Sequence, residues 1–258
     1  MSGPSLHIFS LMRYIIVCLF LFCISKTGYA QDLSFYGILP AFSLTGRINQ
    51  KVNYNLFVST TINALEREIN GVDYPASNLQ LYIQPSIILI YSPKLNLAGS
   101  YTYQRSNPFH GNYVNEHRLW QQAIFSNALF QGQLTNRFRL EERFIENRLN
   151  GEYPLSTRFR YQIGFNTPLQ GKKLNKKEFY FHTYNEVYWS LTGSKNSTYS
   201  SNWSYAGFGY KIGTSDKIEL GYLLQISARN KEKDLRYLHL VQVSWATNLK
   251  RPAKKDGA

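Results

Sequence analysis

Two runs of alternating character decide what this chain can fold into. Arg137-Phe138-Arg139-Leu140-Glu141-Glu142-Arg143-Phe144 and Arg158-Phe159-Arg160-Tyr161-Gln162-Ile163-Gly164-Phe165 set charged or small residues against aromatic or aliphatic ones, almost residue by residue. A β-strand points successive side chains to opposite faces, so each run has one ionic face and one apolar face. In a water-soluble sheet the apolar face is hidden and the ionic face meets solvent. In a barrel that crosses an outer membrane, the apolar face meets lipid and the ionic face lines the interior.

Strand length, connections and aromatic content favour the membrane barrel. Beyond Gln31 no stretch keeps a helical period. Extended segments instead run between turn residues at 33–47, 52–66, 78–91, 94–107, 113–127, 132–148, 154–167, 178–191, 199–213, 216–230 and 235–248. Soluble strands average about 5 or 6 residues, whereas strands tilted through a bilayer need about 9 to 11. Tight turns at Tyr91-Ser92-Pro93-Lys94 and 213–217 alternate with longer polar loops at 68–77, 106–112, 193–201 and 230–234, as in outer-membrane barrels. The loop 168–177, with Lys172, Lys173, Lys176 and Lys177, is long on the side where short turns are expected. Aromatic residues make up 16 % of the chain. Tyr101, Tyr103, Tyr113, Tyr188, Trp189 and Trp245 lie toward strand ends, where a lipid–water boundary holds amphipathic rings. A barrel with both termini on one side needs an even strand count. The fold expected is therefore an all-β, antiparallel up-and-down transmembrane barrel of ten or twelve strands, twelve for preference.

The first thirty residues read as a secretory signal peptide, better formed from Met12 than from Met1. Arg13 precedes the apolar run Tyr14 to Ile24, and Gly28 and Ala30 supply the small residues of a cleavage site after Ala30. That run, about 11 residues, is short of the roughly 20 a spanning helix needs. Cys23 as a lipid-modified residue is disfavoured by Phe22 before it. Cys18 and Cys23 are the only cysteines, so the mature chain relies on no disulfide. The expected organisation is a signal peptide at 1–30, a barrel at 31–249 and a basic tail at 250–258, in the outer membrane of a Gram-negative bacterium. The formal charge of +13 would suit a nucleic-acid binder, but an exported chain without a nucleic-acid motif argues against one. Expected partners are outer-membrane lipids, lipopolysaccharide and the barrel-assembly machinery.

Period two assigns faces to the clearest strands. Inward residues are Arg137, Arg139, Glu141 and Arg143; Arg158, Arg160 and Gln162; Tyr180, His182, Tyr184 and Glu186; Tyr205, Gly207, Gly209 and Lys211; and Glu219, Gly221, Gln225 and Ser227. Arg118 joins this charge ladder. Their outward partners form an apolar band broken by Glu142. The arginines Arg139, Arg158 and Arg160 are expected to pair with Glu141, Glu186 or Glu219 and cross-link neighbouring strands. The functional alternative uses the same arginines as an anion-selective constriction.

These segments also carry a resemblance. His117-Arg118-Leu119-Trp120-Gln121-Gln122, the two opening runs, Tyr184-Asn185-Glu186-Val187, Gly207-Phe208-Gly209-Tyr210 and Glu219-Leu220-Gly221-Tyr222 follow one another in an order that resembles an uncharacterised bacterial outer-membrane β-barrel family, domain of unknown function 2490. The resemblance is strongest from Glu116 to Trp245. It implies the barrel and its location, and brings no activity, cofactor or catalytic residue. Asn202-Trp203 departs from the family pattern, where Asn-Arg is expected before the glycine-rich strand.

Chemistry has few candidates. Barrel hydrolases use a Ser/His pair near the membrane boundary. Here only His117 and His182 lie in strands near inward groups, with Glu116 or Glu186 to orient them and Ser190 or Ser126 as nucleophile. The histidines lack metal-ligand spacing and no phosphate-binding glycine loop occurs, so no cofactor or metal is expected. The reading is a non-enzymatic outer-membrane barrel, either a narrow porin-like channel for small polar or anionic solutes or a structural envelope protein. The alternatives are a lipid-modifying hydrolase and a soluble exported barrel that binds a hydrophobic ligand.

Overall fold

Residues that alternate in polarity pair into long ladders, whatever their helix propensity. Among the described residues of the computed structural model they give thirteen strands: β1 (Leu33–Arg47), β2 (Val52–Asn63), β3 (Arg67–Ile69), β4 (Val72–Tyr74), β5 (Ser77–Ser92), β6 (Leu95–Ser106), β7 (Val114–Leu129), β8 (Gly132–Ile145), β9 (Leu155–Pro168), β10 (Glu178–Thr192), β11 (Tyr199–Lys211), β12 (Lys217–Ala228) and β13 (Leu235–Leu249). The structure describes residues 32–69, 71–193, 198–229 and 234–249. The chain divides into Met1–Gln31 and Asp32–Ala258, and only the second unit contains described residues. The expected signal peptide and basic tail therefore lie outside them.

Eleven strands close into one barrel in the order β1-β13-β12-β11-β10-β9-β8-β7-β6-β5-β2, while β3 and β4 form a separate hairpin. This corrects the expectation of ten or twelve. With an odd number of alternating strands the first and last run the same way, and closure falls to a parallel ladder, from Leu33↔Arg236 to Gly46↔Leu249. β1 thus begins at the end of the barrel that carries the longer connections, and β13 finishes at the opposite, short-turn end. β1 runs straight through Pro40. The missing N–H of Pro40 leaves a gap in the β1–β2 ladder between Ile38↔Ile62 and Ala41↔Ser59, and Pro85 leaves one in β5–β6 between Ile83↔Tyr103 and Ser86↔Ser100.

The two walls of the barrel invert the usual polarity. Leu140, Ile163, Phe208, Leu220, Tyr222 and Val241 are among many large apolar side chains exposed on the outside, with Phe208 at 59 % and Leu220 at 57 %. The residues between them in sequence are buried inside, Glu141 at 0 % and Arg139 at 5 %. Water-soluble proteins do the opposite with both classes. Toward the long-loop end the outer wall carries Tyr36 stacked on His239 at 4.6 Å, and His117 among Tyr101, Tyr103 and Tyr153. Toward the short-turn end it carries Phe42 against Trp245 and Phe179 against Tyr210. Tyr188, expected among such boundary aromatics, instead turns inward and is buried. Glu142 does face outward; it accepts a hydrogen bond from Gln121 at 3.2 Å, one ladder step from the His117 cluster.

The interior is packed at mid-height. All eleven barrel strands send at least one buried side chain inward: among them Leu39, Thr61, Gln84, Thr102, Trp120, Glu141, Arg160, Glu186, Tyr205, Leu223 and Leu240. One sector is apolar, built from Leu33, Phe35, Leu39, Leu223, Leu238 and Leu240 with the ring of Tyr205. Ile69 and Tyr74 of the β3–β4 hairpin pack against this sector, Tyr74 meeting Phe35 edge-on at 5.3 Å. Asn63 ties the hairpin's two feet together by donating to the carbonyls of Leu65 and Pro75. The hairpin thus lies over the apolar sector at the long-loop end.

Candidate functional site in the barrel interior

The sector opposite the leucines is ionic. Registers between β7, β8, β9 and β10 line up Trp120↔Glu141↔Arg158 and Arg139↔Arg160↔Tyr188, so alternate residues of four neighbouring strands meet across one inner wall. Three carboxylates, Glu116, Glu141 and Glu186, gather six guanidinium groups, those of Arg118, Arg137, Arg139, Arg143, Arg158 and Arg160. Glu116 accepts from Arg118 at 2.9 and 2.6 Å and from Arg143 at 2.7 and 2.9 Å. Glu141 Oε2 accepts from Arg158 at 2.8 and 2.6 Å, and its Oε1 from Arg160 at 2.7 Å. Glu186 accepts from Arg160 at 2.8 and 2.9 Å and from Arg137 at 2.7 Å. Paired, planar contacts of this kind suit arginine, whose fork matches a carboxylate.

Uncharged groups complete the network. Tyr188 Oη accepts from Arg160 at 2.8 Å and donates to Glu186 at 3.1 Å, and its ring lies under the guanidinium groups of both Arg158 and Arg160. Arg139 stacks on Trp120, whose Nε1 donates to Thr102 and Gln84. Arg139 gives Nε and Nη2 to the amide oxygen of Gln122, and its closest carboxylate oxygen is 3.7 Å away on Glu141. Of the expected pairings, then, Arg158 and Arg160 bind Glu141 and Glu186, while Arg139 leans on a neutral amide.

Among the described residues no arginine pairs with Glu219. It belongs to a second cluster nearer the short-turn end, where both its oxygens lie 3.1 Å from His182 Nδ1 and Tyr205 Oη donates to it at 2.7 Å. Gly207 and Gly221 make this possible, since a Cβ at either would collide with the Tyr205 ring that lies flat on them. Gly209 makes the same room for Tyr180.

The hydrolase candidates are not brought together. His117 sits on the outer wall with Nδ1 at 2.6 Å from Tyr101 Oη, on the opposite face of β7 from Glu116. His182 is inside but bound to Glu219, not to Glu186, which is committed to arginines. Among the described residues no serine or threonine hydroxyl hydrogen-bonds to either histidine, and Ser190 is placed opposite Arg158. No group of three potential metal ligands forms among the described residues.

The central residues that sequence reasoning missed are Glu116 as an ion-pair centre, Trp120, Gln122 and Tyr188. Period two extended to β7 puts Glu116, Arg118, Trp120 and Gln122 on one face and would have found three of them. Tyr188 had the same signal, two residues beyond Glu186.

Fold and interior together define a closed, eleven-stranded β-barrel with a buried arginine–glutamate network. The chain belongs to the family described as Protein of unknown function (DUF2490), whose model matches residues 40–236, from the middle of β1 to the start of β13. No curated protein and no solved structure matches it.

Proposed function

We propose that this chain is an outer-membrane barrel of a Gram-negative envelope, exported by a signal peptide cleaved near Ala30, and that it serves as a structural envelope protein closed to free diffusion. The observation that carries this reading is the inverted polarity of the walls: apolar side chains exposed outside, charged ones buried inside. Lipid is the solvent that rewards such an exterior, and a closed barrel leaves no backbone edge unsatisfied in it. By the usual asymmetry the tight turns face the periplasm and the long loops, with the β3–β4 hairpin, face outward. Outer-membrane lipids, lipopolysaccharide and the barrel-assembly machinery are its partners on this reading.

Between channel and structural barrel, the packing favours the second. A conduction path needs a continuous polar opening, whereas every strand contributes a buried residue to the filled level and the ionic groups are cross-linked to one another. Purified, folded barrel inserted into planar bilayers is expected to show no unitary current steps. Steps that shrink in Arg139→Ala or Arg158→Ala would establish the anion channel instead.

A further inference from the structure

The ionic sector is out of balance: six guanidinium groups share three carboxylates. Buried charges need partners, because desolvation costs several kcal/mol per ion when it is uncompensated. The imbalance is concentrated in two residues. Both oxygens of Glu141 are engaged by Arg158 and Arg160, and both oxygens of Glu186 by Arg160, Arg137 and Tyr188. Among the described residues Arg139 donates hydrogen bonds only to the Gln122 amide oxygen. Arg137 donates to Glu186 through Nη2, and its buried Nε has no hydrogen-bond partner among the described residues.

Arg137 and Arg139 point the same way from one strand, their Cα atoms about 7 Å apart. Their paired donors go to opposite sides, those of Arg139 to Gln122 on β7 and that of Arg137 to Glu186 on β10, so an oxyanion between them would meet the donors left over, Arg137 Nε and Arg139 Nη1. The Arg137 side chain is also the most exposed of the six, at 20 % against 6 % for the side chain of Arg139. The inner wall beyond it toward the short-turn end is polar and part-exposed at Gln133, Thr135 and Asn166. We infer that the barrel interior binds a small tetrahedral or carboxylate oxyanion, of which inorganic phosphate is the simplest, between Arg137 and Arg139, and that the anion enters from the short-turn end. The inference needs the buried interior only; it holds whether or not the barrel proves silent in bilayers.

The test is a thermal-melting titration of the full mature barrel in detergent with inorganic phosphate, at ionic strength held constant with chloride. The expected result is a saturable upward shift, weakened at least tenfold in apparent affinity in Arg139→Gln and Arg137→Gln and unchanged in Lys94→Gln, which alters an exposed turn. Gln122→Glu covers the case in which removing an arginine unfolds the barrel. It supplies Arg139 with a built-in carboxylate, so it is expected to raise the melting temperature without phosphate and to abolish the phosphate shift. A shift that follows ionic strength alone, one that survives in both arginine variants, or a Gln122→Glu barrel that melts lower than wild type overturns the inference.

Discussion

Glu141→Gln is expected to destabilise the barrel by about 3–5 kcal/mol, while Glu142→Gln, its neighbour in sequence, changes stability by less than about 0.5 kcal/mol. The two residues differ by one step along β8 and therefore by a whole wall. Glu141 is fully buried and its two oxygens hold Arg158 and Arg160, with Arg118 at 3.5 Å as well. Among the described residues, removing its charge leaves buried Arg158 without a paired carboxylate and Arg160 with Glu186 alone, and the cost comes mainly from these stranded partners. Glu142 loses one outward contact to Gln121. Urea unfolding followed by tryptophan fluorescence reads both values, and Trp120 sits beside the site as a native reporter. Equal effects at the two positions would mean that the ionic network does not hold the barrel.

Leu140→Arg is expected to cost about 2–4 kcal/mol in lipid, and a charge near the boundary, as in Leu155→Arg at the start of β9, about 0–1 kcal/mol. Leu140 stands on the outer wall, 40 % exposed, one ladder step beyond Glu142 toward the barrel's middle. In water an arginine at so exposed a position would be close to neutral. The comparison therefore turns on the solvent outside the barrel and not on packing within it. Refolding yield into vesicles and unfolding free energy in the same vesicles give the two numbers. A neutral Leu140→Arg would argue for a soluble barrel.

The faces of β8 to β12 were legible because alternation is a local property. Arg137, Arg139 and Glu141 share a side of the strand whatever the strand pairs with. Which groups then touch is not local: Arg137 meets Glu186 across 49 positions, through a register that alternation alone does not specify. Glu219 shows the limit well. Its inward face was readable, yet its partners, His182 and Tyr205, depend on glycines on two strands that let a tyrosine ring lie flat.

The apolar sector was hidden for a different reason. Tyr237-Leu238, Leu240-Val241 and Leu223-Leu224 each put apolar residues on both faces, so period two carries little contrast there. Closure was misjudged for the same stretch of chain. Parity arguments assume that both ends of the barrel lie on one side, and a parallel β1–β13 seam removes that assumption. The long strands, the turn asymmetry and the aromatic content carried the fold class because each is a property of one segment at a time.

The most direct test of the membrane reading uses the absence of cysteine after Cys23. Single cysteines at Leu220, Phe208 and Val241 on the outer wall, and at Lys94 and Leu149 in connections, can each carry a nitroxide label in vesicles. The outer-wall labels are expected to collide readily with dissolved oxygen and hardly at all with a water-soluble nickel chelate, with the order reversed at Lys94 and Leu149. Nickel reaching Leu220 and Phe208 as freely as Leu149 would place the apolar wall in water and contradict the membrane barrel.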